Sequence, residues 1–229
     1  MKTKYVLTDI DSYEKLLWFF EAPIALFLLI ASVPLSIFLI FWIKIHSKGS
    51  AFFEQTRMGK NGKPFQMFKF RTMSHKMDPE EHKNFVLQQI QTDLFNRRKQ
   101  IPLSFKDRRK TIFKLVTSRH SPLWSEWMRK WSLDEWPQLW NVVKGDMAFV
   151  GPRPPIPYEV EHYTEKQKKR LNVKPGITGL WQISGRSTMT YQEMVEVDLD
   201  YIQKKSFFTD IFIFIKTVLV VFFKSHWAH

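Results

Sequence analysis

The chain has 229 residues, enough for one folded core and a small appendage rather than several domains. It holds no cysteine, which excludes a disulfide framework, thiolate catalysis and any metal site built on sulfur. Lysine and arginine total 35 against 22 acidic residues, a formal charge of +13, which implies a polyanionic neighbour: nucleic acid, anionic lipid or a phosphorylated substrate. The 9 tryptophans and 21 phenylalanines suit a protein seated in a lipid headgroup layer, and equally an ordinary aromatic core.

Residues 1–17 are polar and mixed in charge, without the basic start or small-residue cleavage site of a secretory signal. From Ala22 to Ile43 the chain is almost wholly apolar, APIALFLLIASVPLSIFLIFWI. About 20 residues suffice to reach across a bilayer core, and a helix apolar on every side for that length predicts membrane insertion. Pro34 removes a backbone bond near the middle and predicts a kink, with the hydroxyls of Ser32 and Ser36 available to the freed carbonyls. Two outcomes stay open, a kinked span or a helix that leaves on the side it entered. Lys44, Lys48, Arg57, Lys60 and Lys63 follow the segment and put the main domain on the cytoplasmic side. Lys2, Lys4 and Lys15 precede it, and basic residues on both flanks favour re-entry.

Asn61-Gly62 within GKNGKP is a turn signal, and Phe65 to Phe70 alternates well enough for a half-buried strand. On that strand Lys69 and Arg71 share one face, which can meet phosphate or headgroups, or can simply be a solvated edge. Residues 74–118 carry a predicted helix around His82 to Arg97 and no evident chemistry. Trp124, Trp127 and Met128 then recur at helical spacing, with Arg129 beside them.

The stretch Ser132 to Pro154, SLDEWPQLWNVVKGDMAFVGPRP, pairs two adjacent carboxylates, Asp134 and Glu135, at a helix start. Ser132 and Glu135 have the spacing of a capping box, although Pro137 allows the helix to begin there instead, and Gly145 is a C-terminal stop. In either case the helix dipole is expected to hold Asp134 ionised and to welcome phosphate. An ionised carboxylate beside a second acid suits a nucleophile with an acid/base helper. Two acids capping a helix is the plainer reading. Farther on, prolines on both sides of Arg153 fix where its guanidinium fork points. Glu159 to Arg170 reads as a charged surface helix, LWQIS at 180–184 as a short strand, and YQEMVEVDLDYI as a helix carrying Asp198 and Asp200. Phe207 to Phe223 is apolar but interrupted by Asp210 and Lys216, which predicts a helix lying in the membrane interface.

Four stretches in order, the proline-containing apolar segment, FFEQTRMGKNGKPFQMFKFRTM, SLDEWPQLWNVVKGDMAFVGPRP and KPGITGLWQISGRSTMTYQEMVEVDLDYI, resemble the bacterial sugar transferases, monotopic phosphoglycosyl transferases that act on a polyprenyl phosphate. The resemblance implies an α+β protein with a re-entrant N-terminal helix, a small β-hairpin and interfacial helices. The expected division is 1–17 polar, 18–46 re-entrant, 47–205 catalytic and 206–229 interfacial. The chain departs from relatives where Val33 separates Ser32 from Pro34, in the linker at 74–118, and in RHSPLWSEWMRK at 119–130. The resemblance makes Asp134 a nucleophile and magnesium ligand that takes sugar 1-phosphate from a UDP-sugar and releases UMP. Glu135 would deprotonate the attacking polyprenyl (undecaprenyl) phosphate. Lys69, Arg71, Arg129 and Arg153 would bind phosphate, and Asp198 would orient a cation or the metal site. It also implies a bacterial inner-membrane location with the catalytic domain on the cytoplasmic face, the minimal catalytic form, a hexose donor such as UDP-galactose or UDP-glucose, and a possible homodimer. A non-catalytic scaffold of glycan assembly and a membrane-tethered nucleic-acid binder remain as rivals, but no nucleic-acid-binding module is visible in the sequence, so no nucleic-acid partner is expected.

Overall fold

The computed structural model describes residues 7–72, 123–185, 189 and 191–223, so the helix expected at His82 to Arg97 lies outside the described residues. Helix α1 runs from Leu7 to Ala31 and α2 from Val33 to His46, and the two meet at a 59° bend. Among the described residues no single helix is long and apolar enough to cross a membrane; α1 and α2 reach that length only together and bent. The break falls where Pro34, near the start of α2, cannot donate to the preceding turn. Ser32 satisfies part of the deficit, its hydroxyl donating to the Leu29 carbonyl at 2.8 Å. Phe19, Phe27, Ile30, Ile37 and Phe41 stand exposed along the pair.

Strands β1 (Phe52–Met58) and β2 (Pro64–Phe70) form the expected hairpin, with Phe52 opposite Phe70 and Arg57 opposite Phe65. Asn61 at φ 57° and Gly62 at φ 69° make its turn. After α3 (Leu123–Lys130), a 3-10 helix over Leu133–Gln138 leads into α4 (Leu139–Lys144), which Gly145 ends in the left-handed conformation as expected. A second, parallel two-stranded sheet joins β3 (Ala148–Val150) to β4 (Gly176–Thr178). Two four-residue helices lie between those strands, α5 (Pro157–Val160) and α6 (Glu165–Lys168), followed by a 3-10 turn at Lys169–Asn172. Helices α7 (Leu180–Gly185), α8 (Tyr191–Lys204) and α9 (Phe207–Phe223) complete the described chain.

Two expectations are corrected here. LWQIS is helical in α7: one edge of β3 pairs with Gly176–Thr178 just upstream, and on the other the Phe149 amide is taken by Glu21. Glu159 to Arg170 is not one surface helix: it breaks at Glu161 to Tyr163, restarts at a Thr164–Gln167 capping box, and buries Tyr163, Gln167 and Arg170.

The core is built on the N-terminal helices. Ala25 of α1 packs with Met67, Leu139, Val142 and Met147, while Leu39 and Ile43 of α2 pack with Phe70 and Met128. Trp124 and Trp127 join the second cluster, as their spacing predicts. Polar ties fix the start of α1: Glu14, 3% exposed, accepts from Lys60 at 2.6 Å, Lys205 at 3.0 Å and the Lys174 amide at 3.0 Å. Asp210 of α9, expected to interrupt an interfacial helix, turns inward and accepts from the hydroxyls of Tyr13 at 2.9 Å and Tyr201 at 2.6 Å.

Burial alone would raise the Glu14 carboxyl, but Lys205, Lys60 and the Lys174 amide outweigh it and hold it below its ordinary 4.5. A carboxyl whose pKa is lower folded than unfolded stabilises fully above the unfolded value and loses that contribution as pH falls through the folded one. Glu14→Ala should therefore cost about 3–5 kcal/mol near neutral pH, the usual cost of breaking a buried ion pair. The gap from wild type should narrow below about pH 4.5, read as tryptophan-monitored thermal unfolding in detergent.

Candidate active site

Asp134 and Glu135 occupy the first turn of the 3-10 helix and line a cleft of about 260 Å³. The expected capping box is absent. Ser132 takes the left-handed conformation at φ 54° with no side-chain cap, and Glu135 instead accepts from Lys69 Nζ at 2.9 Å. A left-handed serine is costly, and here it reverses the chain between α3 and the 3-10 helix, bringing Arg129 to the same cleft as Asp134. Lys69 arrives from β2, whose position is set by Asn141. This fully buried amide donates to the Gln66 carbonyl at 2.6 Å and accepts from the Phe68 amide at 3.3 Å.

The opposite wall is the segment Gly151 to Pro155. Its prolines carry no N–H, so the segment can be tied mainly by its carbonyls, and all four from 152 to 155 are bonded. Pro152 accepts from the Gly176 amide at 2.9 Å and Pro155 from the Met58 amide at 2.9 Å. Arg153 and Pro154 accept from the guanidiniums of Arg170 at 3.3 Å and Arg57 at 2.9 Å. Gly176 cannot be replaced, because a Cβ there would lie 2.1 Å from the Gly151 nitrogen. The Arg153 guanidinium is thus presented to the cleft from a backbone fixed on both sides.

Burial and the charge of Glu135 push the Asp134 carboxyl up to about 6, against the pull of Lys69 and Arg129. This corrects the expectation that a helix dipole keeps Asp134 readily ionised. The element ahead of α4 is a short 3-10 turn, and desolvation with a neighbouring anion outweighs its amides. Among the described residues no cluster of three or more His, Asp or Glu side chains is arranged to hold a metal alone. Two adjacent carboxylates facing a cleft lined with cations nevertheless match magnesium's habit of binding through one or two carboxylates plus substrate phosphates.

Of the predicted site residues, Lys69, Arg129, Asp134, Glu135 and Arg153 meet in the cleft. Arg71 does not. Strand β2 ends at Phe70, and the Arg71 guanidinium donates instead to the Ser47 carbonyl at 3.3 Å. Asp198 is also outside it: 1% exposed, it takes Arg170 through Oδ2 at 2.7 Å, and Arg170 in turn donates to the Arg153 carbonyl. Burial raises the Asp198 carboxyl to about 6 despite Arg170. Sequence reasoning missed Arg57, Trp181 and Gln182, which also line the cleft. For Arg57 the signal was present: in the register set by the Asn61-Gly62 turn, Arg57 pairs with Phe65 and Phe53 with Lys69, so both cations leave one face.

The Bacterial sugar transferase family model matches residues 13–224, nearly the whole described chain. The chain belongs to the bacterial sugar transferase family. Among similar sugar transferases, the galactosyl transferase CpsE of Streptococcus agalactiae is 42% identical over 174 residues, 76% of this chain and 35% of that protein. The exopolysaccharide production protein ExoY of Sinorhizobium fredii is 37% identical over 88% of this chain and 83% of its own length. An undecaprenyl-phosphate galactose phosphotransferase of Salmonella typhimurium is 37% identical over 88% of this chain and 39% of its own. The chain therefore spans about a third of CpsE but most of ExoY.

Asn141→Ala should leave the Gln66 carbonyl and the Phe68 amide unpaired and cost about 1–3 kcal/mol per buried group. Lys69 then loses its fixed height over Glu135, and transfer activity should fall further than the loss of folded protein explains, when rate is normalised to the folded fraction.

Proposed function

We propose that the chain transfers a hexose 1-phosphate from a UDP-sugar to a polyprenyl phosphate at the cytoplasmic face of a bacterial inner membrane. The observation that carries this reading is one cleft holding a half-buried, adjacent carboxylate pair lined also by Lys69, Arg129, Arg57 and Arg153. Such a lining suppresses the repulsion between an attacking carboxylate and a diphosphate. The family membership and the polyprenyl-phosphate substrate named for the Salmonella relative support the substrate class.

In the first step an Asp134 carboxylate oxygen attacks the sugar-bearing phosphorus. The O–P bond forms, the bridging P–O bond breaks, and UMP departs with the electron pair. In the second step a polyprenyl phosphate oxygen attacks the same phosphorus and Asp134 leaves as carboxylate, giving the polyprenyl diphosphate sugar. Glu135, paired with Lys69, lies beside that oxygen's path and accepts a proton from a protonated acceptor. Arg129 and Arg153 neutralise the phosphates. Magnesium, held by Asp134 and substrate phosphates, would supply further charge neutralisation. The bent α1–α2 pair enters and leaves one leaflet, and the exposed Phe208, Phe212 and Ile215 of α9 lie in the interface beside it.

Intact-mass analysis after incubation with UDP-galactose or UDP-glucose should show a hexose-phosphate adduct on the wild-type chain. Asp134→Asn should show neither adduct nor UMP release, and continued lipid product from that variant would overturn the reading. Because the chain has no cysteine, single Lys15→Cys and Lys48→Cys variants report topology directly. Both should react with an impermeant maleimide from the cytoplasmic face only, and labelling from opposite faces would mean a spanning helix.

A further inference from the structure

Arg57 is 5% exposed, yet among the described residues no carboxylate reaches ion-pair distance of it. Its Nε and Nη2 donate to Gln55 Oε1 at 3.0 and 2.6 Å, and its Nη1 to the Pro154 carbonyl at 2.9 Å. A guanidinium carries five N–H donors, so one on each terminal nitrogen is left over. A buried cation without a counter-ion is costly, and this one lines the cleft beside a second guanidinium, Arg153. Burial and the charge of Arg153 together depress Arg57 to about 10, which marks two like charges held close.

The cleft's cations divide into two sets. Lys69 and Arg129 are the ones whose charges act on Asp134. Arg153 is the like charge that acts on Arg57, opposed at longer range by Glu159 and Glu135. Lys69 and Arg57 leave the same hairpin face, and at about 3.3 Å per residue their positions are separated by about 13 Å of strand. A diphosphate reacting at Asp134 has one phosphorus under attack and one that leaves. The first set serves the reacting phosphoryl group.

We propose that Arg57 and Arg153 form a two-guanidinium seat for the non-reacting phosphate of the donor, which departs on the nucleoside monophosphate. This rests on the transfer reaction proposed above. Arg57 has two functions there. It holds the Arg153 loop through the Pro154 carbonyl, and it gives its two remaining N–H groups to the phosphate as a planar fork. The anion completes the counter-charge that the folded chain withholds.

The test is calorimetric titration of the full chain in detergent with UMP, uridine and a short-chain polyprenyl phosphate, comparing wild type with Arg57→Lys. Lysine keeps the charge but loses the fork. The proposal expects UMP to bind the variant roughly ten- to a hundredfold more weakly, with uridine binding and melting temperature held, so that the preference for nucleotide over nucleoside collapses. Unchanged UMP affinity overturns it. Equal loss of UMP and uridine also overturns it, because that marks a purely structural role. A loss confined to the polyprenyl phosphate assigns the seat to the acceptor and overturns the nucleotide assignment. If Arg57→Lys does not fold, Arg153→Lys is put to the same comparison, with the same outcomes. Asp134→Asn separates this inference from the reaction: it should still bind UMP although it transfers nothing, and adduct failure in wild type with UMP binding intact would sink the reaction alone.

Discussion

The site depends on a segment that cannot hold itself in place. Gly151 to Pro155 offers almost no backbone donors, so its conformation is imposed through four carbonyls by three separate parts of the chain. The hairpin supplies Met58 and Arg57, the second sheet supplies Gly176, and the buried Arg170–Asp198 pair supplies the last. Small parallel strands of three residues would be marginal alone. Here they bring the prolines against the glycine backbone, where no side chain would fit. The direction of the Arg153 guanidinium is thus a property of the whole catalytic unit rather than of its local sequence.

Much of this was legible from residue patterns. The Asn61-Gly62 turn, the strand after it, the stop at Gly145, the bend at Pro34 and the aromatic helix at Trp124 to Met128 all follow from local chemistry and appear as expected. What failed depended on distant partners. Glu135 looked like a helix cap because its spacing from Ser132 is right, but a lysine 66 residues away claims it. LWQIS has strand-like composition, yet whether a segment becomes a strand depends on an available edge, and β3 gives one edge to Gly176–Thr178 and its Phe149 amide to Glu21. Asp198 was expected to orient a cation or the metal site, and the cation it holds is Arg170, hidden in what reads as a solvated basic run.

Arg57 illustrates a different limit. Its residue type fitted a count of basic charges near a membrane segment, and that count gives no reason to look further. Once the hairpin register is known, its side must be the Lys69 side, and its burial without a carboxylate becomes the informative fact. The excess of +13 is therefore not spread evenly over the surface; part of it is gathered in the cleft, as Arg57, Lys69, Arg129 and Arg153.

The N-terminal helix carries a consequence of its own. Trp18 donates to the Val142 carbonyl at 3.1 Å, Glu21 accepts from the Phe149 amide at 3.1 Å, and Ala25 is wholly enclosed in the cluster of Met67, Leu139, Val142 and Met147. The apolar helix pair proposed above to enter lipid is thus also a wall of the protein's interior. Trimming it away to obtain a water-soluble fragment would uncap α4, orphan the start of β3 and open the main apolar cluster. A workable preparation must carry these helices intact, because two of the three apolar clusters among the described residues are built on them and only the one around Val150, Tyr201 and Ile213 is independent of them.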